Sequence, residues 1–311
     1  MDLDLRARLR HQLELVGGRH DELDVYGGEP GDLGLCGGPD SISWEINGDL
    51  ASVSAAGMAA IIMEVLHPSV MAGVFEQSSY RTQPLRRAQN TLGYVLRTTF
   101  GSTPAATQVI GRVHRVHARV NGTRPDGVPY RALDPELIAW VHTCIPWAVM
   151  EAFSSLVRPL SDDEKSQYLR EQAPIGRLGG AEWVPESVDD LADYVERMRP
   201  LMAMTEQTRE FIDFLAGAAP GEYQDTPRAQ LERRLAIAAS MRLMPSWARH
   251  LTGTYQPWIV DRAYLGWNTR LQAAAVRWAL PELPCRQIAT ARALGLPLPD
   301  VTPADALAPA S

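Results

Sequence analysis

Lysine is almost missing from this 311-residue chain: Lys165 is the only one among 30 basic residues, and the rest are arginine. Schiff-base chemistry or ligation by lysine is therefore open at one position only. Cysteine is equally scarce. Cys36, Cys144 and Cys285 are widely spaced, odd in number and form no CxxC, which argues against a disulfide framework or a cysteine-based zinc site. A reduced, cytoplasmic setting fits. No GxSxG occurs, and no GK[ST] follows the glycine-rich stretch at 26–38, so neither hydrolase nor phosphate-loop chemistry has a motif behind it. The most apolar run, 50–66, contains Glu64 and is too short to cross a bilayer. The start, MDLDLRARLR, lacks the layout of a signal peptide. A net charge of −7 makes nucleic acid a poor partner. Neither a membrane nor a nucleic acid is expected as a partner.

What remains is helix after helix. The pattern predicts a short amphipathic helix at 3–16, a strand or extended segment at 41–46 (SISWEI), a small-residue helix at 50–67 stopped by Pro68, and a further piece at 69–78. A helix over 85–99 follows, ended by Gly101, with a core stripe of Leu85, Ala88, Leu92, Val95 and Leu96. Its second stripe is polar: Arg87, Thr91, Tyr94 and Thr98. Thr and Tyr are odd choices for open solvent here, which suggests a pocket wall. Asp134-Pro135 opens a long helix that is apolar all round, with Pro146 expected to kink it. Ser161 to Glu164 is a capping box. Pro185, Thr205 and Thr226-Pro227 open further helices, 228–244 and 258–279 are long and amphipathic, and the tail from 301 is Pro/Ala-rich. With no convincing alternating pattern, the expected fold is all-α: a multi-helix single domain around a buried central pair.

The stretch that organises the chain is TPAATQVIGRVHRVHARVNG, 103–122. Thr103 and Pro104 predict a helix start and Asn121-Gly122 a stop. Val109, Val113, Val116 and Val120 draw one apolar stripe. At about 100° per residue, His117 falls within roughly 60° of that stripe and His114 about 115° away. His117 thus points to the core and His114 to its flank. A core-facing imidazole must be hydrogen-bonded or bind a metal. His67 and His142 share the apolar middle of the chain and read as core residues, His142 as a hydrogen-bonded one. Several histidines on buried helices favour a metal or haem. Glu64 and His67 also form an E-x-x-H at di-iron spacing, but no second such motif accompanies them.

In order, NGDL (47–50), HPSVMAGVFEQSSY (67–80), PLRRAQNT (84–91), FG (100–101), VHRVHARVNG (113–122), YRALDPELIAWVHT (130–143) and PLSDDEKSQYLRE (159–171) follow one another. Together they resemble the catalytic domain of the rubber oxygenases (latex-clearing proteins) and the mpaB-type mycophenolate-pathway oxygenases. The resemblance covers roughly 41–280, between an N-terminal helix and glycine-rich loop (1–40) and a C-terminal helix and tail (281–311). It implies a globin-like core and haem b, with the iron held by His117. It further implies Arg87 and Thr91 as the catalytic pair on the distal side, Glu76 as the nearest match to a glutamate base, and His67, His114 and Tyr94 around the cofactor. The family lysine that can close the distal side is Asn90 here. The substrate would be a small, largely apolar organic molecule, with O2 or peroxide as oxidant. A homodimer is compatible with the eight tryptophans. The competing readings are a non-haem di-iron oxidase on Glu64 and His67, and a haem sensor or carrier.

Overall fold

The computed structural model describes residues 20–217, 237–255 and 266–299, with Arg6 and Arg234 as isolated positions. The helix expected at 3–16, the Thr226-Pro227 start, the first parts of the helices expected over 228–244 and 258–279, and the tail from 301 lie outside these residues. The described residues are all-α apart from one small hairpin.

After a 3-10 turn (His20–Tyr26) come α1 (Ile42–Asn47), α2 (Leu50–Val65), α3 (Pro68–Gln77), α4 (Pro84–Phe100) and α5 (Thr103–His117). Strands β1 (Asn121–Thr123) and β2 (Pro129–Arg131) pair antiparallel, with Gly122 opposite Tyr130. Then follow α6 (Pro135–Leu156), α7 (Asp162–Gly179), α8 (Val188–Met198), α9 (Glu206–Leu215), α10 (Ser246–Leu251), α11 (Gly266–Ala279) and α12 (Pro284–Ala293).

The centre is the pair α2–α6. Alanines make it possible: Ala56, Ala59 and Ala60 of α2 and Ala139, Ala148 and Ala152 of α6 are all buried in one cluster. Short side chains let two backbones approach, and Met63, Ile62, Val149 and Phe153 fill the flanks. Trp140 Nε1 on α6 donates to the Glu64 carbonyl at 3.3 Å and pins the end of α2. Helix α6 has the length and composition of a membrane-crossing helix (22 residues, mean hydropathy 1.2), but 67% of that stretch is buried inside the fold.

Capping explains where the helices begin. Asp49 accepts from Ser52 N and starts α2. The same carboxylate takes a bidentate pair from Arg277 of α11, at 2.8 and 2.7 Å. Ser161 and Glu164 form the expected capping box of α7, and Thr205 caps α9 as expected. Residues 41–46 are helical and not extended, because the Ser41 hydroxyl accepts from Trp44 N and nucleates α1. Helix α5 is capped by Ser102, one residue before Thr103, whose own N–H and hydroxyl donate to Asp32. It ends at His117, and Asn121-Gly122 belong to β1 instead of stopping it.

A second apolar cluster joins Tyr26, Cys36, Trp44, Phe100, Leu283 and Ile288. Arg292, fully buried, stands at its edge and donates to the carbonyls of Asp32, Tyr26 and Phe100 at 2.8, 2.6 and 3.0 Å.

Asp49 supplies the first prediction. Its hydrogen bonds hold its pKa below the usual value, so its contribution is present above about pH 4 and is lost as pH falls through the lowered folded value. Asp49→Ala should cost about 2 kcal/mol at pH 7 from the lost cap and the unpaired Arg277. Thermal unfolding at pH 7 and pH 3 measures both. A variant as stable as the parent at pH 7 would show that Asp49 holds nothing.

Candidate functional site

Helix α5 packs on α4 and α7. Its buried face is Ala106 and Ile110, continued by the half-buried Val113 and His117. The stripe is therefore turned slightly from the one expected: Val116 is 58% exposed. His117 still falls on the inward side and His114 on the exposed flank.

His142 of α6 and Tyr94 of α4 line one recess, and His117 lies within electrostatic reach of His142. Each sits deep in the protein yet keeps some accessible surface, as side chains lining a narrow crevice do. Tyr94 and His142 face each other at 6.2 Å between ring centroids. Burial, then neighbouring His117, lowers the pKa of His142 to about 4. His117 is lowered by burial, then by His114 and Arg87. Both imidazoles are thus neutral at pH 7, with lone pairs free for a metal or a hydrogen bond. Neither ring hydrogen-bonds to any described residue, so His142 is not the hydrogen-bonded core residue that its helix suggested. Burial also raises the Tyr94 hydroxyl pKa, so it stays protonated.

Glycines on α7 make room for His142. A Cβ on Gly179 would come 2.9 Å from His142 Nε2, and one on Gly176 3.2 Å from its Cβ. Below the two rings lies a cavity of about 20 Å³, lined by Tyr94, Val95, Thr98, His142, Ile145 and Val149 among others. That is room for about one water. On the far side of it, the Tyr168 hydroxyl donates to Asn47 and Asn47 donates to Thr99, both at 2.8 Å, so this polar wall is already satisfied.

Helix α4 contributes unevenly. Tyr94 and Thr98 line the cavity, as the polar stripe suggested. Arg87 is half-buried, donates Nη1 to Ser78 Oγ, and lies within electrostatic reach of Glu64, Tyr80 and His117. Thr91 is exposed, its hydroxyl donating back to the Arg87 carbonyl at 3.1 Å. Leu85 and Ala88, expected in the core, are exposed, Leu85 at 51%. The first two turns of α4 pack on little, so hydrophobic periodicity there marks no buried face. Asn90 is exposed as well, and Lys165 pairs with Asp162 at 3.6 Å on α7.

His67 lies elsewhere. Its Nδ1 accepts from Ser69 N at 3.2 Å as the cap of α3, and its charged neighbours are Arg124 and Asp134. Glu64 instead neighbours Arg87 and Cys144, so the E-x-x-H pair does not share one environment. Among the described residues no group of three or more His, Cys, Asp or Glu is placed to hold a metal ion. Glu76 is exposed and accepts from the Tyr130 hydroxyl at 2.7 Å, so the carboxyl that faces inward is Glu64. Sequence reading weighed Glu64 only with His67 as a di-iron pair, because its neighbour Arg87 lies 23 positions away on another helix.

The chain belongs to the oxygenase family described as "ER-bound oxygenase mpaB/B'/Rubber oxygenase, catalytic domain", whose model matches residues 44–279. It is also 29% identical over 134 residues to the uncharacterized protein Mb2261 of Mycobacterium bovis and, equally, to the uncharacterized protein Rv2237 of Mycobacterium tuberculosis. That alignment covers 42% of this chain and 51% of each relative, so the chain spans about half the length of the curated relatives it matches. No solved structure matches.

The second prediction concerns His67. Burial, then Arg124, lowers its pKa to about 4, against about 6.5 unfolded. The unfolded chain takes up more protons between these values, so stability is full above about pH 6.5 and falls as pH drops towards 4. His67→Asn keeps a capping side chain and removes the titrating ring. Unfolding midpoints measured from pH 7 to pH 4 should fall less steeply in the variant. Equal slopes would mean that His67 is already charged in the folded protein.

Proposed function

We propose that this oxygenase works with haem b, with His117 as the axial ligand, on a small and largely apolar organic substrate with O2 or peroxide. The observation that carries this reading is the neutral, half-buried His117 imidazole without a hydrogen bond to any described residue, with His142 and a cationic arginine within electrostatic reach. One axial histidine is all that such a cofactor requires. A bound haem would supply the iron at which the oxidant is activated, chemistry that no side chain provides.

The donor chemistry fits the group. The enclosed space, about 20 Å³, is small for a macrocycle, so its α4 wall, Tyr94, Val95 and Thr98, would have to stand further out. His117 leaves from the last turn of α5, where the backbone holds it against the recess. Arg87 offers a fixed positive charge to a developing negative one. Tyr94 presents a protonated hydroxyl, and Val95, Ile145 and Val149 keep water out. His114, at the exposed rim, lowers the basicity of His117 through charge. Thr91 would join the chemistry by turning its hydroxyl from the Arg87 carbonyl towards the substrate.

Two experiments decide it. The purified protein should show a haem visible spectrum, and His117→Ala should lose it by at least tenfold in retained haem. An unchanged spectrum in the variant would remove His117 from the iron. Oxygen consumption with a panel of apolar substrates separates an oxygenase from a haem sensor or carrier, which binds ligands without turnover.

A further inference from the structure

We propose that Arg87, Tyr80 and Glu64 form a binding site for an organic carboxylate, so that the substrate carries an acid group at one end of an apolar body. The carboxylate site starts from two buried, unpartnered polar atoms; its assignment to the substrate rests on the oxygenase reading.

The three residues come from separate places: the last turn of α2, the loop after α3 and the first turn of α4. Each has polar capacity that the protein leaves unused. Arg87 Nε and Tyr80 Oη are buried without a hydrogen-bond partner. The Glu64 carboxyl makes no hydrogen bond or ion pair with a described residue. Buried polar groups are almost always partnered, and two that are not, Arg87 Nε and Tyr80 Oη, occur here beside a carboxyl that is likewise without a hydrogen bond to a described residue. Arg87 couples to both Glu64 and Tyr80.

An internal ion pair is the simple alternative, and the structure does not form it. Glu64 and Arg87 make no salt bridge, and among the described residues the hydrogen bond from the Arg87 side chain goes to Ser78. Glu64 is instead held largely protonated at neutral pH, pushed up to about 8 by burial against the pull of Arg87. Tyr80 keeps its proton too. The cluster therefore presents hydrogen-bond donors from three residues and one net positive charge. Its complement is an acceptor with one negative charge, which a carboxylate is and a phosphate, with up to two charges, is not. Around Tyr80 most of the packing is apolar: Phe211 and Phe214 meet its ring edge-on at 4.9 and 5.3 Å, Val65 and Met71 complete the cluster, and the Arg81 guanidinium, paired with Glu210, covers the ring at 4.6 Å. Such walls suit a hydrocarbon body.

The pH behaviour follows from the groups that face the cluster. Arg87 and Cys144 face Glu64 from α4 and α6. Arg81 and Glu210 face Tyr80, and His117 faces Arg87 from α5. Cys144 is held protonated by burial, and His117 is neutral above pH 6.5. Glu64 is then the group that ionises between pH 7 and pH 9, where its negative charge repels an anion.

Calorimetry on the purified chain with octanoate and 1-octanol tests this. Octanoate should bind at least tenfold more tightly than octanol at pH 7 and weaken several-fold by pH 9. Arg87→Leu should lose tenfold or more for octanoate and little for octanol. Tyr80→Phe, which deletes one oxygen, should lose several-fold and carries the test if Arg87→Leu does not fold. Glu64→Gln should keep binding at pH 7 and abolish the fall towards pH 9. Equal affinity for the two probes, indifference to Tyr80→Phe, or a pH dependence that survives Glu64→Gln overturns the proposal. Binding needs no turnover. A chain that holds octanoate but consumes no oxygen with any substrate sinks the oxygenase reading and leaves this site standing; the reverse result sinks the site alone.

Discussion

The structure depends on how closely two helices can lie. Alanines on α2 and α6 bring their backbones together, and α1, α3, α4, α7 and α11 pack against that pair. The closeness has a cost in polar accommodation: a side chain as large as Glu64 or His142 on the same helices cannot bury in the seam and must find a recess at its edge. Glu64 of α2 and His142 of α6 belong to separate polar groups, and Arg87 is within electrostatic reach of Glu64 and of His117 beside His142.

Electrostatics in these recesses runs one way. Burial penalises charge, so the histidines lose basicity and the carboxyl, thiol and phenols keep their protons. Arg87 is the exception, since a guanidinium does not give up its proton. A pocket with neutral ligating nitrogens, protonated donors and one fixed cation attracts electron-rich groups.

Much of the fold could be read from residue patterns, because caps and breakers act locally. Ser161 with Glu164, Thr205, Asp134-Pro135 and Gly101 mark their helix ends by hydrogen bonds or geometry within four residues. The inward turn of His117 was legible for the same reason, since a wheel needs only neighbours. Ser102 was missed as the cap of α5 because Thr103-Pro104 is an equally good local signal, and Asp32, 71 positions away, decides between them by claiming Thr103. Residues 41–46 alternate like a strand, yet one hydroxyl closes them into a turn of helix. The exposure of Leu85 and Ala88 had no signal at all, as periodicity states which residues share a face and not whether anything covers it. The pairing of Tyr94 with His142, and the α7 glycines that admit it, rest on contacts between helices far apart in the chain.

Arg292 carries a consequence that reaches past the family's matched span, 44–279. Its guanidinium ties the carbonyls of Tyr26 and Asp32, before that span, to the carbonyl of Phe100 at the end of α4, while Arg292 itself lies after it. The two flanks are stapled to each other and to the far end of the helix that bears Arg87. The stretch with recognisable ancestry is thus shorter than the stretch that shares one interior. Changes accumulating in either flank would be felt at the root of α4, and through that lever at the pocket.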